Sequence, residues 1–195
     1  MGKDLRAELP TNPDILIKND FKNKKIIVTG HTGFKGSWLV TWLTLLGAKV
    51  TGISNNIPTN PSHYKYLKLK NKIDNYKLDI RNLKKLKEIF RLKKPDYVFH
   101  LAAQSLVKKS YLSPKYTLET NTIGTLNILE SLKEVKKECV AVIITSDKVY
   151  KNVEIKRGYK ENDILGGKDP YSASKASAEI FIKSYIESFF PIKKT

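Results

Sequence analysis

The chain has 195 residues, 41% hydrophobic and 28% charged, with ten Gly and eight Pro, which is globular usage and excludes collagen-like, low-complexity and disordered chains. Its 36 Lys and Arg outnumber 19 Asp and Glu, a net charge of +17 that would attract nucleic acid or an anionic surface. Yet 32 of the cations are Lys spread along the whole chain, and only Arg6, Arg81, Arg91 and Arg157 carry the planar fork that reads base edges; we therefore read a solvated basic surface and expect no nucleic-acid partner.

Residues 1–20 mix Pro10, Pro13 and charges without period and read as a tail, with the ordered domain over 21–195. Asp4, Glu8 and Asp14 interrupt any apolar stretch of the kind a secretory signal needs, so export is not expected. The charge-free run from Gly36 to Ala48 is 13 residues, short of the ~20 a membrane span requires. Cys139 stands alone and cannot form an internal disulfide, which fits a reducing cytoplasm.

Lys25 to Thr29 is a β-branched apolar run, the profile of a strand buried on both faces of a parallel sheet. Gly30-His-Thr-Gly33-Phe-Lys-Gly36 follows, then a helical stretch from Ser37 to Leu46 with Gly47 just past its end. Lys49 to Ile53 predicts a second strand and Tyr76 to Leu78 a third. Leu83, Leu86, Ile89 and Phe90 have helical spacing, and Tyr97 to Leu101 reads as the fourth strand. A helical pattern runs from about Thr117 to Val135. Cys139 to Ser146 is the most strand-like run of all, and Asp169 caps a final helix with Pro170 at its first position, running to about Phe190. Strands alternating with helices imply right-handed crossovers and an α/β fold, a doubly wound parallel sheet.

Gly30, Gly33 and Gly36 make a GxxGxxG loop between a buried strand and a helix. That is where a strand can turn tightly and a pyrophosphate can approach backbone N–H groups at a helix N-terminus. No acid follows the second strand, where the sequence reads Ile53-Ser-Asn-Asn56, so the residues themselves leave NAD and NADP undecided.

Tyr171 and Lys175 are spaced i, i+4, so a helix puts both on one face, where an ammonium can lower a phenol's pKa. The spacing alone carries nothing, because Tyr64/Lys68, Tyr66/Lys70 and Tyr111/Lys115 share it. Only the Tyr171 pair opens a capped helix after the strand that ends in Thr145-Ser-Asp-Lys-Val-Tyr150. Ligands of a parallel sheet lie outside the carboxyl ends of its strands, so Ser146, Asp147 and Lys148 are expected to project where the glycine loop opens.

These segments, together with His100-Leu-Ala-Ala-Gln-Ser-Leu-Val107, Thr120-Asn-Thr-Ile-Gly-Thr-Leu-Asn-Ile-Leu-Glu130 and Asp169-Pro-Tyr-Ser-Ala-Ser-Lys-Ala-Ser-Ala-Glu179, resemble the extended short-chain dehydrogenases, and within them the sugar-nucleotide 4,6-dehydratases of the CDP-glucose type. The resemblance covers about residues 21–190; Lys148 is its most telling position, because related dehydratases usually carry Glu there. It implies a Rossmann-type domain, NAD as cofactor and a nucleotide-sugar substrate dehydrated without net oxidation. Tyr171, helped by Lys175 and Ser146, would take the proton of the 4-hydroxyl. Lys148 would remove the C5 proton and Asp147 protonate the departing 6-hydroxyl. A lysine can act as a base only where burial or neighbouring cations favour its neutral form, and an Asp as an acid only where its proton is retained, so a closed, dry pocket is expected.

By the same resemblance, Gly30, Thr32, Gly33, Phe34 and Gly36 would hold the pyrophosphate, Asp79 and Ile80 flank the adenine, and Ala102 and Ala103 line the ribose and nicotinamide side, with Tyr171 and Lys175 completing the cofactor site. Gln104 and Asn121 are assigned to the substrate side, Asn121 as a polar group behind it. No metal is expected. Family members continue for well over a hundred residues beyond this point, into the last strands of the sheet and the sugar-nucleotide lobe. The strand ending at Ser146 is therefore expected to be an exposed edge, covered in a homodimer or by a separately encoded C-terminal part.

Overall fold

A computed structural model describes residues 20–190; the expected tail falls outside them except for Asp20. Five strands, β1 (Lys25–Thr29), β2 (Lys49–Ser54), β3 (Asp74–Lys77), β4 (Tyr97–His100) and β5 (Val140–Ile143), form one sheet in the order β3-β2-β1-β4-β5. Every pairing is parallel, so all five C-terminal tips lie along one rim. β1 is central and fully enclosed, with Ile26, Ile27, Val28 and Thr29 buried, as its unbroken apolar run predicts.

The helices are α1 (Phe34–Leu45), α2 (His63–Tyr66), α3 (Leu83–Lys93), α4 (Val107–Leu112), α5 (Pro114–Leu118), α6 (Gly124–Leu132) and α7 (Pro170–Phe189). Ile27, Ile53 and Val98 on one face of the sheet pack with Leu86 and Phe90 of α3 and Ile128 and Leu129 of α6. Ile26, Val28 and Val50 on the other face pack with Val40 and Leu43 of α1 and with Tyr64 and Leu69. At about 25 cal/mol per Å² of apolar surface, these two layers supply the main drive to fold.

Gly47 ends α1 with φ of +81°, the left-handed position that favours glycine. Asp169 caps α7, accepting hydrogen bonds from the Ser172 amide at 3.0 Å and the Ser172 hydroxyl at 2.6 Å. Two expectations shift. β3 starts at Asp74 and ends at Lys77 because its register against β2 pairs Thr51 with Asp74. The single helix expected over Thr117–Val135 is broken by a π-turn at Glu119–Ile123, a local widening that frequently marks functional sites. It frees the side chain of Asn121 for tertiary hydrogen bonds.

β5 is the edge strand on one side. Val140 is 55% exposed, Val142 38% and Ile144 42%, so the sheet face beside Tyr97 and Phe99 lies open, as the sequence leads one to expect.

Candidate active site at the strand tips

The loop between β1 and α1 is shaped by its glycines. Gly30 has φ of +74°, and a Cβ there would lie 2.7 Å from the Ala102 amide nitrogen. A Cβ on Gly36 would lie 2.2 Å from the Gly30 carbonyl oxygen. These two glycines let the strand turn and the helix close onto the turn. Gly33 differs: its Cβ would meet only the Gly30 carbonyl oxygen, at 3.3 Å, and otherwise open space. Gly33 is the N-cap of α1 and has no side-chain cap, so the first-turn N–H groups of a 12-residue helix face outward, where an anion is favoured. Thr32 is buried; its hydroxyl donates to the Asn56 carbonyl at 2.6 Å. Phe34 is exposed at the first helical position.

His31, which the sequence reading passed over, latches this loop to the next two strands. Its ring is wholly buried, with Nε2 2.6 Å from Asn75 Oδ1 and Nδ1 3.0 Å from Ser54 Oγ. Asn75 can only accept through Oδ1, so Nε2 carries the proton and Nδ1 accepts from Ser54. Burial lowers the pKa of His31, keeping this neutral arrangement.

A second network joins β1, β4 and the π-turn. The Asn121 carbonyl accepts from Thr125 Oγ1 at 2.7 Å, so Thr125 accepts from His100 Nε2 at 3.1 Å. His100 Nδ1 then accepts from the Thr29 hydroxyl at 2.6 Å, which itself accepts the Ala102 amide at 3.2 Å. His100 is fully buried beside Lys175, and desolvation followed by that ammonium pulls its pKa down to about 3.

Lys175 lies on α7, 5% exposed, and its Nζ donates to the Ile144 carbonyl at 3.1 Å just past the end of β5. Burial lowers its pKa to about 8. Tyr171 is buried one turn before it. Ser146, Asp147 and Lys148 occupy a tight 3₁₀ turn following β5, in which the Ser146 hydroxyl accepts the Lys148 amide at 3.2 Å and donates to Asp147 Oδ1 at 3.1 Å. β1 and β5 flank β4, so at ~5 Å per strand spacing the glycine loop and this turn are about 10 Å apart, well within a dinucleotide's reach.

The side chains of Gln104 and Asn121, expected on the substrate side, are taken up in internal hydrogen bonds. The Gln104 amide donates to Leu106 O and Thr117 Oγ1 and accepts the Leu106 N–H, while Asn121 bonds the backbone of Gln104 on both sides and donates to Ser174 Oγ. Together they rivet the loop after β4 to α7, which leaves Asn121 in the supporting position expected of it. Ile80 turns its side chain into the core against Gly124. Asp147 and Lys148 are exposed, so the described residues do not form the closed pocket expected around them. Of the remaining residues, Asp79 is held by Arg81, whose guanidinium makes two hydrogen bonds of 3.1 and 2.9 Å and whose backbone amide makes a third of 2.9 Å, and it sits below the usual carboxylate range chiefly because of that guanidinium. Ala102 and Ala103 are half-buried past the tip of β4, with Ala102 beside Gly30.

The sequence profile of GDP-mannose 4,6-dehydratase matches residues 27–191. The chain belongs to this family. It is 46% identical over 173 residues to the CDP-glucose 4,6-dehydratase of Salmonella typhimurium, an alignment covering 89% of this chain and 48% of that protein. Among solved structures, the Thermotoga maritima UDP-glucose 4-epimerase, crystallised with UDP-glucose, superposes with a TM-score of 0.75 at 28% identity, covering 84% of this chain and 52% of that one. The Thermus thermophilus UDP-glucose 4-epimerase in complex with NAD gives 0.73 at 30% identity, covering 84% and 51%. The chain thus spans about half the length of the family relatives it matches. Among the described residues, no helix is long and apolar enough to cross a membrane and no cluster of His, Cys, Asp or Glu is arranged to hold a metal.

Proposed function

We propose that this chain is the dinucleotide-binding half of a sugar-nucleotide 4,6-dehydratase that uses NAD and acts on CDP-glucose in the cytoplasm. The observation that carries the reading is the shared rim: the uncapped α1 N-terminus at Gly33 follows β1, and Lys175, with Tyr171 one turn before it, lies with the Ser146-Asp147-Lys148 turn at the C-terminal end of β5, two strands along the same parallel sheet.

The residues present fit the cofactor. Gly33 leaves open the space a pyrophosphate would fill, α1 presents its N–H groups there, and the Lys175 ammonium suits ribose hydroxyls. NAD, when bound, supplies a hydride acceptor for C4 of the sugar and a hydride donor for C6. Tyr171 takes the 4-hydroxyl proton, with Lys175 one turn further along the same helix face and Ser146 orienting the same hydroxyl. Lys148 removes the C5 proton, which the 4-ketone has acidified, and Asp147 gives its proton to the departing 6-hydroxyl. Both side chains are exposed in this half, so the dry surroundings they need come from the other half that the relatives carry.

That exposure also favours a second reading, a module that binds the dinucleotide and catalyses nothing. Incubation of the protein with CDP-glucose and NAD in deuterated water separates the two. The first reading predicts the 4-keto-6-deoxy product with solvent deuterium at C5, and loss of that exchange in Lys148→Ala with NAD affinity intact. NAD binding without product or exchange supports the second, and exchange persisting in Lys148→Ala removes Lys148 as the base.

A further inference from the structure

Tyr171, Lys175 and Glu179 follow one another at four-residue intervals on α7, so they line one helix face. Tyr171 and Lys175 belong to the site above; Glu179 has no part in it. Glu179 Oε1 nevertheless accepts the hydroxyl hydrogen of Thr145, the residue between Ile144, whose carbonyl holds the Lys175 ammonium, and Ser146. Two successive turns of α7 thus grip two successive residues of the chain leaving β5.

We propose that Glu179 is a positioning residue for the site: its carboxylate, fixed by Thr145, is the counter-charge of the buried Lys175 ammonium and pins the end of β5 that presents Ser146. The inference rests on the dinucleotide reading only for its consequence in binding; the charge interaction, which is not a direct ion pair, stands on the i, i+4 placement of Lys175 and Glu179 on α7 and on their anchors at the adjacent residues Ile144 and Thr145.

The surroundings of Lys175 leave this task to few groups. On its own helix, Tyr171 and Glu179 share its face. His100 on β4 interacts with it and stays neutral down to about pH 3. The π-turn offers Asn121 and Thr122, which contact Ser174 and do not titrate, and β5 offers the Ile144 carbonyl and the Thr145 hydroxyl. Against this background burial lowers the affinity of Lys175 for its proton, and the charge of Glu179 opposes the fall. Glu179 also borders an open groove of about 510 Å³ lined with Val149, Tyr150 and Lys183, so its own carboxylate is not stripped of water.

The test is a pH titration of Lys175 by NMR, using protein labelled with ¹³C at lysine Cε and assigning the resonance by its loss in Lys175→Arg. Glu179→Gln keeps an oxygen for Thr145 and removes the charge; the midpoint of Lys175 is expected to fall by about 1 unit. Thr145→Val keeps the charge but frees the carboxylate to turn towards the groove, so a smaller fall in the same direction is expected, which tests the proposal independently should Glu179→Gln fail to fold. Unchanged midpoints overturn it. In parallel, Glu179→Gln is expected to weaken NAD binding about fivefold at pH 8 and to leave it unaltered at pH 6, as follows from a 1-unit shift of a charge the ligand requires. Failure of the wild-type chain to bind NAD at any pH contradicts the dinucleotide reading alone, since the lysine titration still reads Glu179 directly.

Discussion

The ammonium of Lys175 sits 3.1 Å from the carbonyl oxygen of Ile144, inside the protein and at the tip of the edge strand. An ammonium in that position carries a desolvation cost, visible as a pKa near 8 where 10.5 is ordinary. Below pH 8 the lysine is charged in both folded and unfolded chains, and the folded state bears the full cost. Between 8 and 10.5 the folded state releases its proton first and gains stability. Lys175→Met is therefore expected to be more stable than wild type at pH 7 by about 2 kcal/mol, after allowing for the lost hydrogen bond. The advantage should close as pH approaches 10.5, as urea unfolding at pH 7, 9 and 10 would record, and NAD binding should be lost in the same variant.

His100 works in the opposite pH range. Its pKa is lowered to about 3 by burial and by Lys175, so the unfolded chain takes up a proton at 6.5 while the folded chain does not. Stability contributed by the neutral His100 is complete above 6.5 and is lost as pH falls towards 3, at about 1.4 kcal/mol per pH unit from this group. His31, also lowered by burial, adds to the same slope. Unfolding measured at pH 7, 6 and 5 should show this decline, and His100→Gln should flatten it even though the variant is less stable at pH 7.

The glycines of the loop divide into two kinds. An alanine at Gly36 would drive its Cβ into the Gly30 carbonyl, and we expect Gly36→Ala to lose about 3 kcal/mol of stability. An alanine at Gly33 meets one contact at 3.3 Å at an ordinary φ of −73°, so Gly33→Ala should fold with little loss and bind NAD at least tenfold more weakly, because the methyl stands where the pyrophosphate would lie. Thermal unfolding together with NAD calorimetry on the two variants checks the contrast.

Val140 and Val142 on the edge strand and Ile144 just past its end form an exposed apolar row, the arrangement that invites pairing with another chain. The 22.2 kDa chain is expected to associate as its concentration rises, and Val142→Lys to hold it monomeric without loss of stability. Sedimentation velocity across a concentration series measures both.

The glycine loop, β1 and the capped start of α7 were legible in the sequence because their signals are local: an unbroken β-branched run, glycines before a helix, Asp169 ahead of Pro170. The edge position of β5 was an expectation of the family resemblance and not of any local residue signal. The π-turn was not, since it follows from Asn121 reaching Gln104 and Ser174, residues 17 and 53 positions away. For the same reason the internal hydrogen bonds of Gln104 to Leu106 and Thr117 could not be read from the sequence. His31 and His100 escaped attention because a histidine's role depends on partners, here Ser54, Asn75, Thr29 and Thr125, that no spacing rule brings together.

One ligand is expected to be held from both ends of the rim. Hydrogen–deuterium exchange by mass spectrometry, with and without saturating NAD, addresses this directly. Slowed exchange in the peptide covering residues 30–38 and also in the peptide covering 144–150 is the predicted result. Slowing confined to residues 30–38, with 144–150 exchanging as in the free chain, would contradict it.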